Sequence, residues 1–239
     1  GGIVHYRNGR VIRTEREYET DNPFESVILA LDTFKESPLV SVPGESYNYT
    51  THGFILLSAV VERAAGMPFA EFVDQRIAEP LGMESFQPDY QWNEIPDRAI
   101  GYRRISSRVS QSSDTDVSWK LGGGGYISNI DDLSTFAEGM AARKLLTAES
   151  FELIWQSQVP ADGNDPGYGL GFGVTEANGE LLVSHSGAQE KTRTMMIVLP
   201  DSGTTIVAMT NSEFANPGEI TAEIRRLMQA TTSPRTDGR

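Results

Sequence analysis

Apolar residues recur at helical spacing through the earlier part of the chain, and strand-like runs replace them towards the end. Asn22-Pro23-Phe24-Glu25 combines a capping residue, a proline at the first helical position and a glutamate three residues after the cap. Val27, Ile28, Leu31 and Phe34 then fall on one face, so the spacing predicts a helix over Pro23–Lys35. Ser37 to Glu45, with Pro38, Pro43 and Gly44, reads as a loop that delivers the chain to Tyr47-Asn48-Tyr49. From Thr51 to Ala65 the positions Phe54, Leu57, Ala59, Val60, Val61 and Ala64 predict a second helix, stopped by Gly66 and Pro68. A further amphipathic helix is expected from Phe69 to Ile77, ending near Pro80-Leu81-Gly82, and residues 84–118 read as loop or short strands.

After Gly122-Gly123-Gly124-Gly125, Ser128 is expected to cap a helix with Asp131 and Asp132 in its first turn and Leu133, Phe136, Ala137 and Met140 inward. Thr147 is placed to open another, carrying Phe151, Leu153, Ile154 and Trp155. The period then changes. Tyr168, Leu170, Phe172 and Val174 alternate with small residues, and Asn178-Gly179 turns the chain into Leu181-Leu182-Val183, a hairpin. Met195–Leu199 and Thr205–Met209, joined by Pro200-Asp201-Ser202-Gly203, predict a second hairpin covered on both faces. A closing helix is expected to turn Ile220, Ile224, Leu227 and Met228 inward, and the polar tail after Thr231 to fray. Helices followed by an antiparallel sheet make this an α+β chain. Residues 1–160 form a mainly helical part and 161–239 a sheet with its helix, both belonging to one domain.

Composition narrows the chemistry. With 20 Lys plus Arg against 33 Asp plus Glu, the net charge of −13 argues against nucleic acid or an anionic membrane as partner, leaving a small molecule or peptide. No apolar run reaches the roughly 18 residues of a membrane span. No cysteine is present, which excludes a thiolate nucleophile, and His5, His52 and His185 lack metal-binding spacing, so no metal site is expected. The four glycines are not followed by Lys-Ser or Lys-Thr, as a phosphate loop would be, and read instead as tight backbone packing beside a cleft. His5 and His52 read as structural or surface residues. By themselves, a tyrosine before a helix and a histidine at the end of an apolar strand are ordinary packing residues.

Several stretches, in order, resemble the serine β-lactamase and penicillin-binding-protein superfamily, closest to the class C β-lactamase-related esterases and peptidases. Tyr47-Asn48-Tyr49-Thr50-Thr51 and its following helix resemble the family's Tyr-x-Asn segment. Trp119 to Ser128 with Asp131-Asp132-Leu133 resembles the glycine-rich approach and the helix after it. His185-Ser186-Gly187 resembles the Lys-Thr-Gly or His-Thr-Gly strand, and Gly2-Ile3 with His5-Tyr6 the stretch after a His-Thr-Ser-Gly loop. The resemblance implies a β-lactamase/transpeptidase-like fold and hydrolysis of an ester, amide or peptide bond through an acyl-enzyme, without cofactor. It also favours a periplasmic or extracellular location.

The same resemblance implies the site roles. Tyr49 shuttles protons with a lysine. Ala188 N–H supplies one oxyanion donor, the nucleophile's own N–H the other, while His185 and Ser186 orient the substrate or its carboxylate beside Gly187. Thr51 stands where many members have Asn, His185 replaces the lysine of the drug-hydrolysing enzymes, and Ala188-Gln189-Glu190-Lys191 lacks a further glycine. Ser-x-x-Lys, which carries the nucleophile in the family, occurs nowhere in the 239 residues. The expectation is a C-terminal portion of a larger hydrolase, inactive alone, whose N-terminal strands and nucleophile helix belong to a missing segment of the same protein. The alternatives are a non-catalytic binding protein that keeps the old cleft and an assembly module.

Overall fold

Thr50 opens the first long helix, α1 (Thr51–Ala65), by accepting the Gly53 N–H on its Oγ1 at 3.1 Å, and Gly66 ends it where the sequence predicts. The buried face is not the full apolar stripe. Thr51, His52, Ile55, Ser58 and Ala59 point inward, whereas Leu57 and Val60 are each 55% exposed.

The segment before α1 differs from expectation: Pro23–Glu25 and Leu29–Thr33 are separate 3₁₀ turns, not one helix. Ser26 between them is extended, its hydroxyl donates to Glu62 at 2.7 Å, and the Val27 N–H donates to the same carboxylate at 3.3 Å. Bonds to α1 thus replace the helical ladder. Val4 buries itself with Ala30, Phe34 and Ile55, while its carbonyl accepts from Thr50 Oγ1 at 3.0 Å and His52 Nδ1 at 2.8 Å. The computed structural model describes residues 1–232, so the tail expected to fray lies, from residue 233 on, outside the described residues.

Glu62 also accepts the Phe69 N–H at 3.0 Å. From there α2 (Phe69–Val73), a π turn (Asp74–Ala78) and α3 (Glu79–Leu81) run to Gly82. The region expected as loop or short strands holds β1 (Gln87–Pro88) and a hairpin of β2 (Tyr102–Ile105) with β3 (Arg108–Gln111). The glycine run forms a helical turn, α4 (Leu121–Gly124), and β4 (Tyr126–Ile127) then pairs with β1. This turn lies directly on α1. A Cβ at Gly122 would stand 2.4 Å from Ser58 Cβ, and one at Gly123 2.5 Å from Thr51 Cγ2, so only hydrogen fits.

Helix α5 (Ile130–Ala141) is capped by Asn129, whose side chain accepts the Asp132 N–H at 2.8 Å; Ser128, the expected cap, sits one residue too early. Asp132 is buried and accepts from the Ser85 N–H at 2.6 Å and Ser85 Oγ at 2.7 Å, tying α5 to the loop after α3. Helix α6 (Ala148–Ile154) is capped by Thr147 as predicted.

Strands β5 (Gly173–Ala177), β6 (Glu180–Gln189), β7 (Thr192–Leu199) and β8 (Thr204–Thr210) form one antiparallel sheet in that order. The alternation from Tyr168 to Phe172 is a bend rather than a strand, because Gly167 (φ 59°) and Gly171 (φ 101°) take the left-handed region. One face of the sheet packs Val183, Met196 and Val198 on Ala137, Met140, Phe151 and Trp155 of the α5–α6 layer. The other gathers Leu182, Ile197, Leu199 and Ile206. Helix α7 (Pro217–Thr232) packs along β7 and β8 through Pro217 and the fully buried Thr221. Its expected inward residues Ile220, Ile224, Leu227 and Met228 are instead exposed, because the helix turns the face bearing Pro217 and Thr221 inward. Among the described residues no single helix is long and apolar enough to cross a membrane.

Gly122→Ala is expected to lower stability by about 1–3 kcal/mol, the range for overpacking a close contact. Urea unfolding measures it, and an unchanged midpoint would show that the turn does not depend on this approach.

Candidate active site

Tyr49 lies at the mouth of α1, half exposed, with Thr51, the first residue of the helix, buried against Gly123. Strand β6 reaches the same place from the sheet. It pairs with β5 only as far as Ser184, so His185 to Gln189 pair with β7 alone. Alternate N–H and C=O groups of that stretch therefore face an open edge. Ser186 and Ala188 are exposed there, and Gly187 stands opposite Thr194. Gln189 Nε2 donates to the Gly124 carbonyl, joining the end of β6 to the glycine-rich turn.

The tyrosine and the histidine meet through a third ring. Tyr168 OH lies 3.1 Å from His185 Nε2, with ring centroids 6.3 Å apart. The edge of Tyr49 meets Tyr168 at 6.2 Å and 85°, and Tyr47 lies 5.6 Å away from it. Tyr49 and His185 thus border the same Tyr168 ring between the start of α1 and β6, the candidate groove; Ser186, Gly187 and Ala188 continue along the strand, while Thr51 is buried against Gly123. Reading the sequence missed Tyr168 and Tyr47. The available signal was an aromatic flanked by glycines, Gly167-Tyr168-Gly169, which marks a tight bend as well as it marks a strand.

His5 also belongs to this neighbourhood, although it reads from sequence as structural or surface. Its Nδ1 accepts the Thr51 N–H at 3.2 Å at the start of α1, and its ring meets Tyr49 edge-on at 5.8 Å. His52 lies behind it, stacked on Phe34 at 4.5 Å. Burial disfavours the Lys120 ammonium, Glu190 opposes that effect and Arg7 adds to it.

Burial sets the protonation of the groove. It raises the Tyr49 phenol above its ordinary 10.0, and the Tyr6 phenol adds to the rise. Burial likewise raises Tyr168, with Tyr49 and Tyr47 contributing, and lowers His185 below 6.5 against a backbone hydrogen bond at Ser186. At neutral pH the phenols are protonated and the imidazole is uncharged. A phenol in that state becomes a base only with a cation beside it. Two cavities of about 710 and 750 Å³ lie elsewhere, one lined by Arg13, Arg16, Asp32 and Trp92, the other by Glu62, Met67 and Tyr90. Neither includes Tyr49 or His185.

A capped helix delivering a tyrosine to the open edge of an antiparallel sheet, with helices over one face, is a β-lactamase/transpeptidase-like arrangement. The octameric penicillin-binding protein homologue from Pyrococcus abyssi superposes on it with a TM-score of 0.74 at 23% identity, over 89% of this chain and 50% of that one. The family model for beta-lactamase matches residues 10–230, and the chain belongs to that family. It is similar to the mitochondrial serine beta-lactamase-like protein LACTB of Bos taurus, 27% identical over 82% of this chain and 41% of the relative. It is also similar to the D-aminopeptidase of Brucella anthropi, 26% identical over 72% of this chain and 32% of the relative. The chain thus spans less than half the length of these relatives.

His5, His52 and His185 are all held below 6.5, in each case chiefly by burial. His52 and Arg7 add to the lowering at His5, whereas the Val4 carbonyl opposes it at His52. The fold therefore prefers the neutral rings. Their stabilisation is complete above pH 6.5 and is lost as the pH falls through the lowered folded values. The melting temperature is expected to drop on going from pH 7.5 to about pH 5, before most carboxylates titrate. His5→Asn, whose amide oxygen can accept the Thr51 N–H without titrating, should make that decline shallower. An equal slope in both proteins would remove His5 from the explanation.

Proposed function

We propose that the groove between α1 and β6 performs acyl transfer on an ester, amide or peptide bond, as part of a serine hydrolase whose nucleophile comes from polypeptide outside these 239 residues. The observation that carries this reading is that Tyr49 and His185, remote in sequence, border the same Tyr168 ring at the open edge of β6. The hydrolase names of relatives, D-aminopeptidase among them, support the reaction class.

In this scheme a serine hydroxyl attacks the substrate carbonyl and forms the acyl ester. Its proton passes to a lysine–Tyr49 pair and on to the leaving amine or alcohol, and water then releases the acid by the same route. A Ser-x-x-Lys lysine beside Tyr49 would supply the cation that its raised phenol requires. The Ala188 N–H would face the oxyanion, while Thr51, Ser186 and Gly187 would line the substrate. Exposed apolar residues on two helices, Leu57 and Val60 of α1 and Ile220 and Leu227 of α7, support the presence of further chain against these faces. Without that segment the 239 residues would be inactive. The absence of Ser-x-x-Lys from these residues favours one other reading, a non-catalytic relative that binds a peptide or small molecule in the same groove.

A fluorophosphonate or penicillin probe is expected to label one serine of the full-length protein. Tyr49→Phe should lower kcat/KM about 10²- to 10⁴-fold, the usual weight of a proton-transfer group. A full-length sequence without the Ser or Lys would decide for the binding protein. Unchanged turnover in Tyr49→Phe would remove that phenol from the chemistry.

A further inference from the structure

Tyr168 has no role in that scheme, yet it is the side chain that touches both Tyr49 and His185. Its position is built rather than incidental. The Tyr168 N–H donates to Ser157 Oγ at 3.1 Å, its carbonyl accepts from the Gln158 N–H at 2.9 Å, and the Leu170 N–H donates to the Ile154 carbonyl at 3.0 Å. The bend is thereby fastened to α6 and the chain that follows it, which in turn cover the sheet core. Tyr47 and Tyr49 also meet the phenol ring, at 5.6 and 6.2 Å.

The hydrogen between Tyr168 and His185 has two possible owners. Burial favours the neutral form of both groups, so a phenolate–imidazolium pair is disfavoured. A phenol O–H is a much stronger donor than its oxygen is an acceptor, and here it meets the imidazole at 3.1 Å. A neutral imidazole carries one N–H and one bare nitrogen. The Nε2 lone pair therefore receives the phenol, and the one N–H sits on Nδ1.

We propose that Tyr168 is a positioning residue. Its hydroxyl donates to Nε2 of His185 and fixes the Nδ1–H tautomer, making this wall of the groove uncharged. With Nε2 taken by the phenol and the ring uncharged, His185 has no charge to offer a carboxylate. The substrate end that meets β6 is therefore a neutral group, an ester or amide rather than a free acid. The substrate preference rests on the hydrolase reading; the tautomer does not.

The test uses the full-length protein with ¹⁵N-labelled histidine. Long-range ¹H–¹⁵N correlations should show His185 with a bare Nε2 and a protonated Nδ1. Tyr168→Phe keeps the ring contacts and loses only the hydroxyl, so it should abolish the single tautomer and move the His185 titration upward. In turnover the wild type should favour a methyl ester or amide over the matching free acid. Tyr168→Phe should lower kcat/KM for the neutral substrate about three- to tenfold, the effect of one hydrogen bond, and shift the acid limb of its pH profile with the His185 titration. A purely structural phenol would leave both tautomer and acid limb in place. A proton on Nε2 in the wild type, an unaltered titration in Tyr168→Phe, or preference for the free acid overturns the proposal. Absence of turnover with every substrate counts against the hydrolase reading instead, and the tautomer measurement still decides the pair.

Discussion

The approach of the glycine-rich turn to α1 is the contact on which the groove depends. Hydrogen at Gly122 and Gly123 lets α4 rest on Ser58 and Thr51, where any larger side chain would separate the two helices. That contact fixes the first turn of α1, and with it the direction in which Tyr49 leaves the helix. Gln189 then fastens the far end of β6 to the same turn through the Gly124 carbonyl. Helical half and sheet are thus joined at the place where the candidate chemistry sits.

Much of this frame is legible in the sequence where local signals and burial agree. Helix α1, the Thr147 cap of α6 and the hairpins around Asn178-Gly179 and Pro200–Gly203 follow from spacing and turn residues that nothing distant contradicts. The reading fails where long-range bonds override local preference. Pro23–Lys35 has every helical mark, but Glu62 captures Ser26 and Val27 and splits it. Asn129 rather than Ser128 caps α5, because Asp132 must reach both Asn129 and Ser85. On α7 the apolar stripe and the buried face do not coincide, and a period count cannot report which face a helix turns inward.

The groove is legible only in part for a related reason. Tyr49 and His185 to Ala188 stand out because they resemble motifs, and Tyr49 and His185 border the same Tyr168 ring. Tyr168 resembles no catalytic triplet, and its importance lies in what surrounds it: one imidazole, two phenols and a bend held by Ser157 and Ile154. His5 looks like surface in the sequence, yet its ring nitrogen serves the backbone of α1. Roles of this kind are properties of neighbourhoods, and sequence order does not display them.

Strand β6 is at once a member of the hydrophobic sheet and a wall of the groove. Val183 and His185 share a face, so the register that buries the valine among Met196, Phe151 and Trp155 is the register that turns the imidazole towards Tyr168. A slip of one residue against β7 would put Ser184 in the core and swing His185 to the other side of the sheet. Side-chain aim in the groove is therefore enforced by oil-filled packing several residues away, and misaligned chains are penalised before any substrate arrives.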